Sequence, residues 1–280
     1  MREAMMNIDS LVDKYYGFGE ILEKIEAGLN IAGKDVDSLT VNDLAPVDAF
    51  HTRGRKSTIE VAELANLKTS DLVLDVGCGL GGTARYLADQ YKCNVAGIDL
   101  TQEYISVGIK LTELVGLSDR IELRHGSALE IPYENEKFDI VWTEHVQMNI
   151  ADKNLFYSEI TRVLKPGGRL LFHDIFRGSG DPPVYPTPWA EDESISALAS
   201  EAEARSIIEQ VGLKIDHWLV KVQESIEFFQ RMSAQIEADG PPPIGTHLLM
   251  GDTAKDKLRN ILRNLSEDRV SVALGMAHKN

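Results

Sequence analysis

Residues Val73–Gly82 read VLDVGCGLGG, an apolar strand that runs into a glycine-rich turn. One acid, Asp75, stands just before the turn, and a second, Asp99, closes the next apolar run, Asn94–Ile98. Glycines let a ligand approach the backbone because no Cβ is in the way. A carboxylate at the end of the second strand can accept hydrogen bonds from both hydroxyls of a ribose. The pattern therefore predicts a site for a nucleotide-like cofactor at the carboxyl ends of parallel strands.

The elements that must position this site alternate along the middle of the chain. Helical stretches separate apolar runs at Leu72–Val76, Asn94–Ile98, Ile121–Leu123, Phe138–Trp142 and Leu170–Ile175. Such alternation predicts an α/β fold with a parallel sheet covered by helices on both faces. Further strand-like runs follow at Leu213–Val220 and Val270–Met276.

The segments before and after this alternating region have other sequence patterns. Residues 1–66 are predicted to form a helical N-terminal cap, and residues 67–280 the cofactor-binding domain. The segment 177–193 is rich in proline and excludes regular structure, which favours a lid or binding loop. A helical insertion is predicted over 222–268, with helices at 222–238 and 255–265. Their apolar faces could cover the site or pair two subunits as a homodimer.

Composition limits the partners. The 280 residues carry a net charge of −15, and no basic stripe stands out, so nucleic acid and anionic membranes are not expected partners. A small or cationic substrate fits better. No apolar run approaches the roughly 18 residues of a membrane span, and the N-terminus has no signal core, which predicts a cytoplasmic protein. Cys78 and Cys93 suggest no disulfide framework.

The choice of cofactor is open on the glycine motif alone. Gly77, Gly79 and Gly82 satisfy GxGxxG and Asp99 lies about 20 residues on, as in nicotinamide-dependent oxidoreductases. Three features weigh against NAD. Asp75 could bind an ammonium group, which a dinucleotide lacks. The segments FDIVWTEHVQMN and RVLKPGGRLLF follow in fixed order, and there is little room for a second large domain.

In these motifs and their order, residues Leu72–Ile175 resemble the class I S-adenosylmethionine-dependent methyltransferases. The chain is also similar to the small-molecule branch that includes sarcosine/dimethylglycine and ubiquinone-biosynthesis methyltransferases. This similarity lies in the segments VNDLAPVDAFHTRGRKST, HVQMN and YPTPWA. The resemblance implies a Rossmann-like seven-stranded sheet, mostly parallel, with the helical cap and insertion added. It also implies S-adenosylmethionine as the cofactor.

The resemblance assigns cofactor-binding roles to residues of this chain. Asp75, Gly77 and Gly79 would cradle the methionine part, and Asp99 would bind the ribose. The other implied contacts are Leu100 beside the adenine, Ser127 and Ala128 near the adenine amine, His145 at the methionine end, and Arg53 for the carboxylate. Many relatives carry an acid where Ser127 stands.

Candidate catalytic and substrate residues lie in the cap, after the fourth strand and on the lid. His145 and His173 are candidate bases, supported by Glu144, although His173 could equally be a hydrogen-bonded core residue. Each candidate substrate contact also has a packing, loop or capping alternative. These candidates are Tyr16, His51, Gln147, Asn149, Tyr185 and Trp189.

No metal is expected, because TEHVQMN offers no ligand cluster after the fourth strand and zinc spacing is absent. The predicted reaction is in-line transfer of a methyl group to a small molecule, with an amine or amino-acid-like nitrogen as the leading acceptor. The alternative is O- or C-methylation of a natural-product or quinone-like metabolite. An NAD-dependent oxidoreductase and a non-catalytic cofactor-binding protein are the other classes considered.

Overall fold

A seven-stranded sheet forms the centre of the computed structural model, which describes residues 10–17 and 19–280. The strand order is β3-β2-β1-β4-β5-β7-β6, and only β7 runs antiparallel to its neighbours. The strands are β1 (Leu72–Val76), β2 (Asn94–Asp99), β3 (Ile121–His125), β4 (Phe138–Glu144), β5 (Leu164–Arg177), β6 (Leu213–Val220) and β7 (Val270–Lys279). The predicted Rossmann-like, mostly parallel seven-stranded sheet is confirmed.

Helices cover both faces of this sheet and form the cap and insertion. They are α1 (10–16), α2 (Ile21–Ile31), α3 (Val41–Asp48), α4 (Arg55–Ala65), α5 (Gly82–Gln90), α6 (Gln102–Leu114), α7 (Lys153–Val163), α8 (Glu201–Gln210), α9 (Val222–Asp239) and α10 (Ala254–Ser266). Buried residues of α7 and α8 share one core with the sheet, and those of α4, α5 and α6 share the core on the other face. None of the described helices is long and apolar enough to cross a membrane.

Strand β5 is longer than the predicted run Leu170–Ile175 because it begins at Leu164 and includes the segment Pro166–Gly168. Pairing with β4 passes from Phe138↔Leu164 to Ile140↔Arg169, so the extra residues form a bulge at the start of the strand. A proline that cannot donate to the ladder is tolerated at such a place.

Part of the predicted cap range 1–66 packs on the sheet. Helices α2 and α3 pack with α6 in a separate cluster, whereas Val61 and Ala65 of α4 are buried against the sheet. Helix α4 is therefore a layer of the main domain. Residues 1–9 and 18 of the predicted cap lie outside the described residues.

The lid and the insertion form one packed unit. Trp189 of the lid is buried with Phe229 of α9 and Ile261 of α10. Both insertion helices occur where the sequence predicts them. Their apolar faces pack on each other and on the lid, and the pairing of subunits stays a prediction.

Candidate active site

A large cavity opens at the carboxyl ends of β1, β2 and β4. Strand β1 lies between β2 and β4, so the strand order reverses at this point, where open α/β sheets bind ligands. The cavity contains about 1420 Å³ of space, including open solvent at its mouth. Its walls come from the strand ends, the cap and the lid.

The glycine turn between β1 and α5 brings bare backbone to the cavity wall. The N–H groups of Gly77 and Cys78 both donate to Ile98 O, at 2.8 and 3.0 Å, which fixes the turn against β2. Gly77 and Gly79 have φ values of +71° and +54°, which side chains rarely adopt. A Cβ on Gly77 would lie 2.3 Å from Val146 Cγ2. Glycine is therefore required at 77 both by conformation and by space.

The two predicted carboxylates lie on this wall. Asp75 is buried, and its Oδ2 has no hydrogen-bond partner within the described residues. Burial, and then the charges of Glu144 and Asp99, raise the pKa of Asp75 well above its usual range. Asp99 accepts from Gly79 N and Thr101 N, each at 2.8 Å. A cationic group near Asp75 would relieve the cost of its buried charge.

The predicted adenine contacts line the same cavity beyond Asp99. Leu100, Ser127 and Ala128 all contribute to its wall. The Ser127 hydroxyl oxygen accepts from Leu129 N at 3.2 Å, so it also caps its own loop. A hydroxyl rather than a carboxylate therefore stands on the adenine side.

Arg53 is placed differently from its prediction. Its side chain is buried, does not line the cavity, and forms an ion pair with Glu60 in the first half of α4. The segment around it still serves the site, because its neighbours His51 and Thr52 reach the residues that follow β4. The structure thus gives Arg53 a partner other than the cofactor carboxylate.

Three histidines and a glutamate meet at the inner end of the cavity, where His51, Glu144 and His145 line the wall and His173 is fully buried behind them. Ring centroids of His145 and His173 are 4.8 Å apart, and that of His51 lies within 6 Å of both. Glu144 Oε2 accepts from Thr83 Oγ1 at 2.7 Å and from Trp142 Nε1 at 3.0 Å. The Thr52 hydroxyl lies 3.1 Å from His145 Nε2 and 3.2 Å from His173 Nε2. The predicted catalytic residues are therefore neighbours.

Burial determines the charges of this cluster. Burial lowers the pKa of His173 to about 4, although Glu144 acts in the opposite direction. Burial and the two neighbouring imidazoles lower the pKa of His145 well below its usual range. Burial would raise the pKa of Glu144, but His51 and His173 with Thr83 lower it to about 2. At neutral pH, Glu144 is a carboxylate beside two neutral imidazoles.

His145 also has an unusual backbone. Its φ is +54°, which is uncommon for a residue other than glycine and costs about 1–3 kcal/mol. Its N–H donates to His173 O at 2.8 Å, which holds this conformation at the end of β4. The strain places the imidazole on the cavity wall.

The predicted substrate residues divide into two groups. Tyr16, His51, Asn149 and Trp189 line the cavity. Gln147 does not, because its amide is buried and donates to Ile175 O. Tyr185 also lies outside the lining and packs with the insertion helices, as its loop-anchoring alternative predicts.

Asn149 connects the cap and the lid at the cavity wall. Tyr16 Oη donates to Asn149 Oδ1 at 3.1 Å, and Asn149 Nδ2 donates to Trp189 O at 2.9 Å. The Trp189 indole N–H donates to Ser196 Oγ at 3.0 Å. These side chains close the cavity from the cap and from the lid.

Several lining and supporting residues are absent from the sequence predictions. Thr52, Thr58 and Thr83 hold the histidine–glutamate cluster, and Phe50 and Tyr104 line the cavity. Isolated threonines and aromatic residues carry no motif. Thr83 gave the best signal, because it follows the glycine turn directly.

These residues fit S-adenosylmethionine. Bare backbone at Gly77 and Gly79, the unpartnered Asp75 oxygen and the Asp99 carboxylate share one wall. The first two suit a cationic amino-acid group, and the last suits a ribose. The arrangement defines an α/β protein with a cofactor cavity closed by a cap and a lid.

Comparisons with known proteins agree with this class. A family model described as a methyltransferase domain matches residues 74–172. A glycine/sarcosine/dimethylglycine N-methyltransferase of Actinopolyspora halophila is 29% identical over 60% of this chain and 30% of its own length. A tocopherol O-methyltransferase of Oryza sativa, described as probable, is 41% identical over 35% of this chain and 27% of its own. The chain thus spans less than a third of these two relatives.

Solved structures show the same fold. A phosphoethanolamine N-methyltransferase 2 of Haemonchus contortus, in complex with phosphomonomethylethanolamine and S-adenosylhomocysteine, aligns with a TM-score of 0.71 at 22% identity. The alignment covers 82% of this chain and 53% of that one. Residues 74–172 therefore match a methyltransferase domain, and the chain has the fold of a solved methyltransferase.

Proposed function

We propose that this chain transfers a methyl group from S-adenosylmethionine to a small molecule, with an amine or amino-acid-like nitrogen as the leading acceptor. The observation that supports the proposal is one cavity with two ends. Asp75, the glycine turn and Asp99 form the cofactor wall, and the cap, the lid and the histidine cluster form the other end.

The cofactor wall would hold S-adenosylmethionine through Asp75, Gly77, Gly79 and Asp99. When bound, this cofactor supplies an electrophilic methyl group on a sulfonium. The protein then has to align an acceptor and exclude water. Tyr16 and Trp189, which close the cavity from the cap and the lid, serve both purposes.

The charges of the acceptor end favour an amine. Asp48 is neutralised by its buried ion pair with Arg85, whereas Glu144 stays ionised at neutral pH. Tyr16, Phe50 and Trp189 contribute aromatic rings that can stack on a cation. A nitrogen-methylating relative supports the same acceptor class.

His145 is the residue we assign to hydrogen bonding with the acceptor. Its Nε2 is engaged by Thr52, whose N–H lies 3.4 Å away and whose hydroxyl lies 3.1 Å away. Nδ1 is therefore the nitrogen left for an acceptor. Because burial keeps this imidazole neutral and Nε2 accepts from Thr52 N, Nδ1 carries the ring proton and can donate a hydrogen bond to a polar group of the acceptor.

A second candidate is O- or C-methylation of a larger, apolar acceptor. A smaller cavity of about 370 Å³ adjoins His51 and His145 and is lined by apolar residues of the lid and insertion, among them Phe229, Leu258 and Ile261. It could receive an apolar part of such an acceptor, and an O-methyltransferase relative is consistent with this alternative.

Calorimetry with S-adenosylmethionine and its demethylated product tests the cofactor assignment. Asp99→Asn should weaken binding about ten- to hundredfold, since hydrogen bonds to a charged group contribute about 1.5–3 kcal/mol. Asp119→Asn removes an exposed carboxylate after α6 and should leave the affinity unchanged. Binding of NAD but not of S-adenosylmethionine would reject the assignment.

A screen with methyl-labelled cofactor tests the acceptor. Primary, secondary and tertiary amines with and without a carboxylate are compared with phenols and quinols. We expect labelled product from the amines. Labelling of hydroxylated aromatics alone would replace the amine proposal by the second candidate, and cofactor binding with no product from any class would contradict an enzymatic role in small-molecule methylation.

A further inference from the structure

We propose that His51, Glu144 and His173 bind one divalent transition-metal ion at the inner end of the cavity. Their ligand atoms all lie within 4.8 Å of one another. The residues come from the loop after α3, the end of β4 and the middle of β5. The inference goes beyond the proposed methyl transfer, and it does not depend on it.

The distances in the cluster are too long for hydrogen bonds. Glu144 Oε2 lies 3.6 Å from His51 Nε2, and Oε1 lies 3.7 Å from His173 Nδ1. Hydrogen bonds of this type measure about 2.7–3.2 Å. Atoms that each lie about 2.1 Å from one ion stand roughly 3–3.5 Å apart. The two carboxylate–imidazole distances are therefore close to those around an ion, and the two histidines must approach each other further to hold one.

The tautomer of His51 leaves its lone pair on the cluster side. Its Nδ1 is 3.1 Å from Ser57 Oγ, and the Ser57 hydroxyl donates to the carbonyls of Thr52 and Gly54, at 2.9 and 2.8 Å. Since that hydroxyl proton is used, Ser57 Oγ accepts from Nδ1. The lone pair of this tautomer is then on Nε2, which lies 3.6 Å from Glu144 Oε2 and 3.3 Å from Thr58 Oγ1.

His173 gives a second, independent indication. Its ring is fully buried, and its Nδ1 has no hydrogen-bond partner among the described residues. Nε2 lies 3.2 Å from Thr52 Oγ1, which can accept its proton. Nδ1 then carries a lone pair aimed at a carboxylate. Two ring lone pairs that converge on one carboxylate form a site for a cation, and Thr58, Thr83 and Trp142 donate to the same carboxylate from outside it.

Other contacts orient the ligands, as they do around metal ions in proteins. Trp142 Nε1 and Thr83 Oγ1 donate to Oε2 of Glu144. Ser57 holds His51, and Thr52 lies against His173. Because His51 and Glu144 line the cavity, an ion could enter from it and keep a coordination position open towards it.

The donor set indicates the kind of ion. Two imidazoles and one carboxylate suit Zn²⁺, Co²⁺, Ni²⁺ or Fe²⁺, whereas Mg²⁺ and Ca²⁺ prefer oxygen ligands. The expectation that no metal binds rests on the segment TEHVQMN, that is, on residues adjacent in the sequence. Only Glu144 belongs to it, and the histidines are contributed by distant parts of the chain.

The test uses the 280-residue chain stripped of metal with a chelator and titrated with Co²⁺, followed by its visible absorption and by elemental analysis. We expect one Co²⁺ per chain. Glu144→Gln and His51→Gln should each weaken Co²⁺ binding at least tenfold. His217→Gln, which removes an exposed histidine of β6, should not. A wild-type chain without stoichiometric Co²⁺, or ligand variants that bind as tightly as wild type, would overturn the proposal.

A second measurement does not need the variants to fold. Zn²⁺ should shift the ring ¹⁵N signals of two histidines of the wild-type chain, and unchanged signals would also overturn the proposal. S-adenosylmethionine binding is measured on the same samples. Cofactor binding without Co²⁺ uptake rejects the metal site alone, whereas Co²⁺ uptake without methyl transfer supports the metal site and contradicts the proposed function.

Discussion

At the scale of single residues, the site depends on backbone conformations that most side chains avoid. Gly77 and Gly79 turn the chain with positive φ, and His145 adopts the same region although it carries a side chain. The glycines leave space for a cofactor, and the strained histidine brings a titratable ring to the wall. Strain at such positions is retained where the surrounding structure over-determines it.

Gly77→Ala should destabilise the protein by about 2–4 kcal/mol. About 1–2 kcal/mol comes from the left-handed φ and the rest from the clash with Val146. Gly116→Ala is the matched control, because Gly116 has a φ of +68° but nothing lies within 4 Å of the place where its Cβ would stand. Gly116→Ala should therefore lose only the part of the stability that comes from the left-handed φ. Urea unfolding of both variants measures the difference, and equal losses would show that Val146 moves away at no cost.

The spacing of residues predicted the cofactor wall better than the acceptor end. Asp75, the glycines and Asp99 lie on consecutive elements whose strand ends must meet, so local pattern determines their placement. The contacts of Thr52 with two histidines depend on how distant segments pack. No local period encodes such contacts.

At the scale of elements, helix α3 connects the cap to the cofactor wall. Its last residue, Asp48, forms a buried ion pair with Arg85 of α5, and a Cβ on Gly82 would lie 2.4 Å from Asp48 Cβ. The two helices therefore touch at their backbones. Interactions that stabilise the start of α3 therefore also hold Val47 and Asp48, at its other end, in the cavity wall.

Asp43→Asn should remove a pH-dependent part of the stability. Asp43 accepts from Thr40 N at 2.9 Å and pairs with Lys34 at 2.7 Å. Lys34, and then Thr40, lower the pKa of Asp43 to about 2, below the roughly 3.9 of an unfolded aspartate. The folded state therefore binds fewer protons between these values. Its contribution is complete above pH 4 and is lost as the pH falls towards 2.

Urea unfolding of wild type, Asp43→Asn, Lys34→Met and the double variant measures this effect. Because the pair is near the surface, we expect a loss of only about 1 kcal/mol at pH 7. The difference between wild type and Asp43→Asn should shrink as the pH falls from 4 to 2. If the difference in unfolding free energy stays constant over this pH range, the loss comes from helix capping and not from the charge of Asp43.

Elements with a clear period were predictable and irregular ones were not. The sequence places β6 and both insertion helices to within a residue or two. It misses the start of β5, because proline and glycine normally end a strand, whereas here a bulge accommodates them. It also assigns α4 to the cap, since an amphipathic helix does not reveal which surface it covers.

At the scale of the molecule, the cavity is closed by segments far apart in the chain. The lid lies between α10 and the histidine cluster, and two asparagines of α10 hold its backbone. Asn264 exchanges two hydrogen bonds with Val184, at 2.8 and 3.0 Å, and Asn260 Nδ2 donates to Pro186 O at 2.9 Å. Closure of the acceptor end therefore depends on the insertion.

Asn264→Ala should loosen the lid without unfolding the sheet. Asn264 is fully buried, so its loss leaves the N–H and C=O of Val184 unpaired, at about 1–3 kcal/mol for each group. Part of this free-energy cost is avoided if the lid opens, because water can then hydrogen-bond to the backbone of Val184. Hydrogen exchange should then accelerate in lid peptides, while β1 and β4 keep their protection. Arg259→Ala, on the exposed side of α10, is the control. Equal acceleration in the lid and the central strands would show that Asn264 supports the whole fold and that the lid has no independent opening.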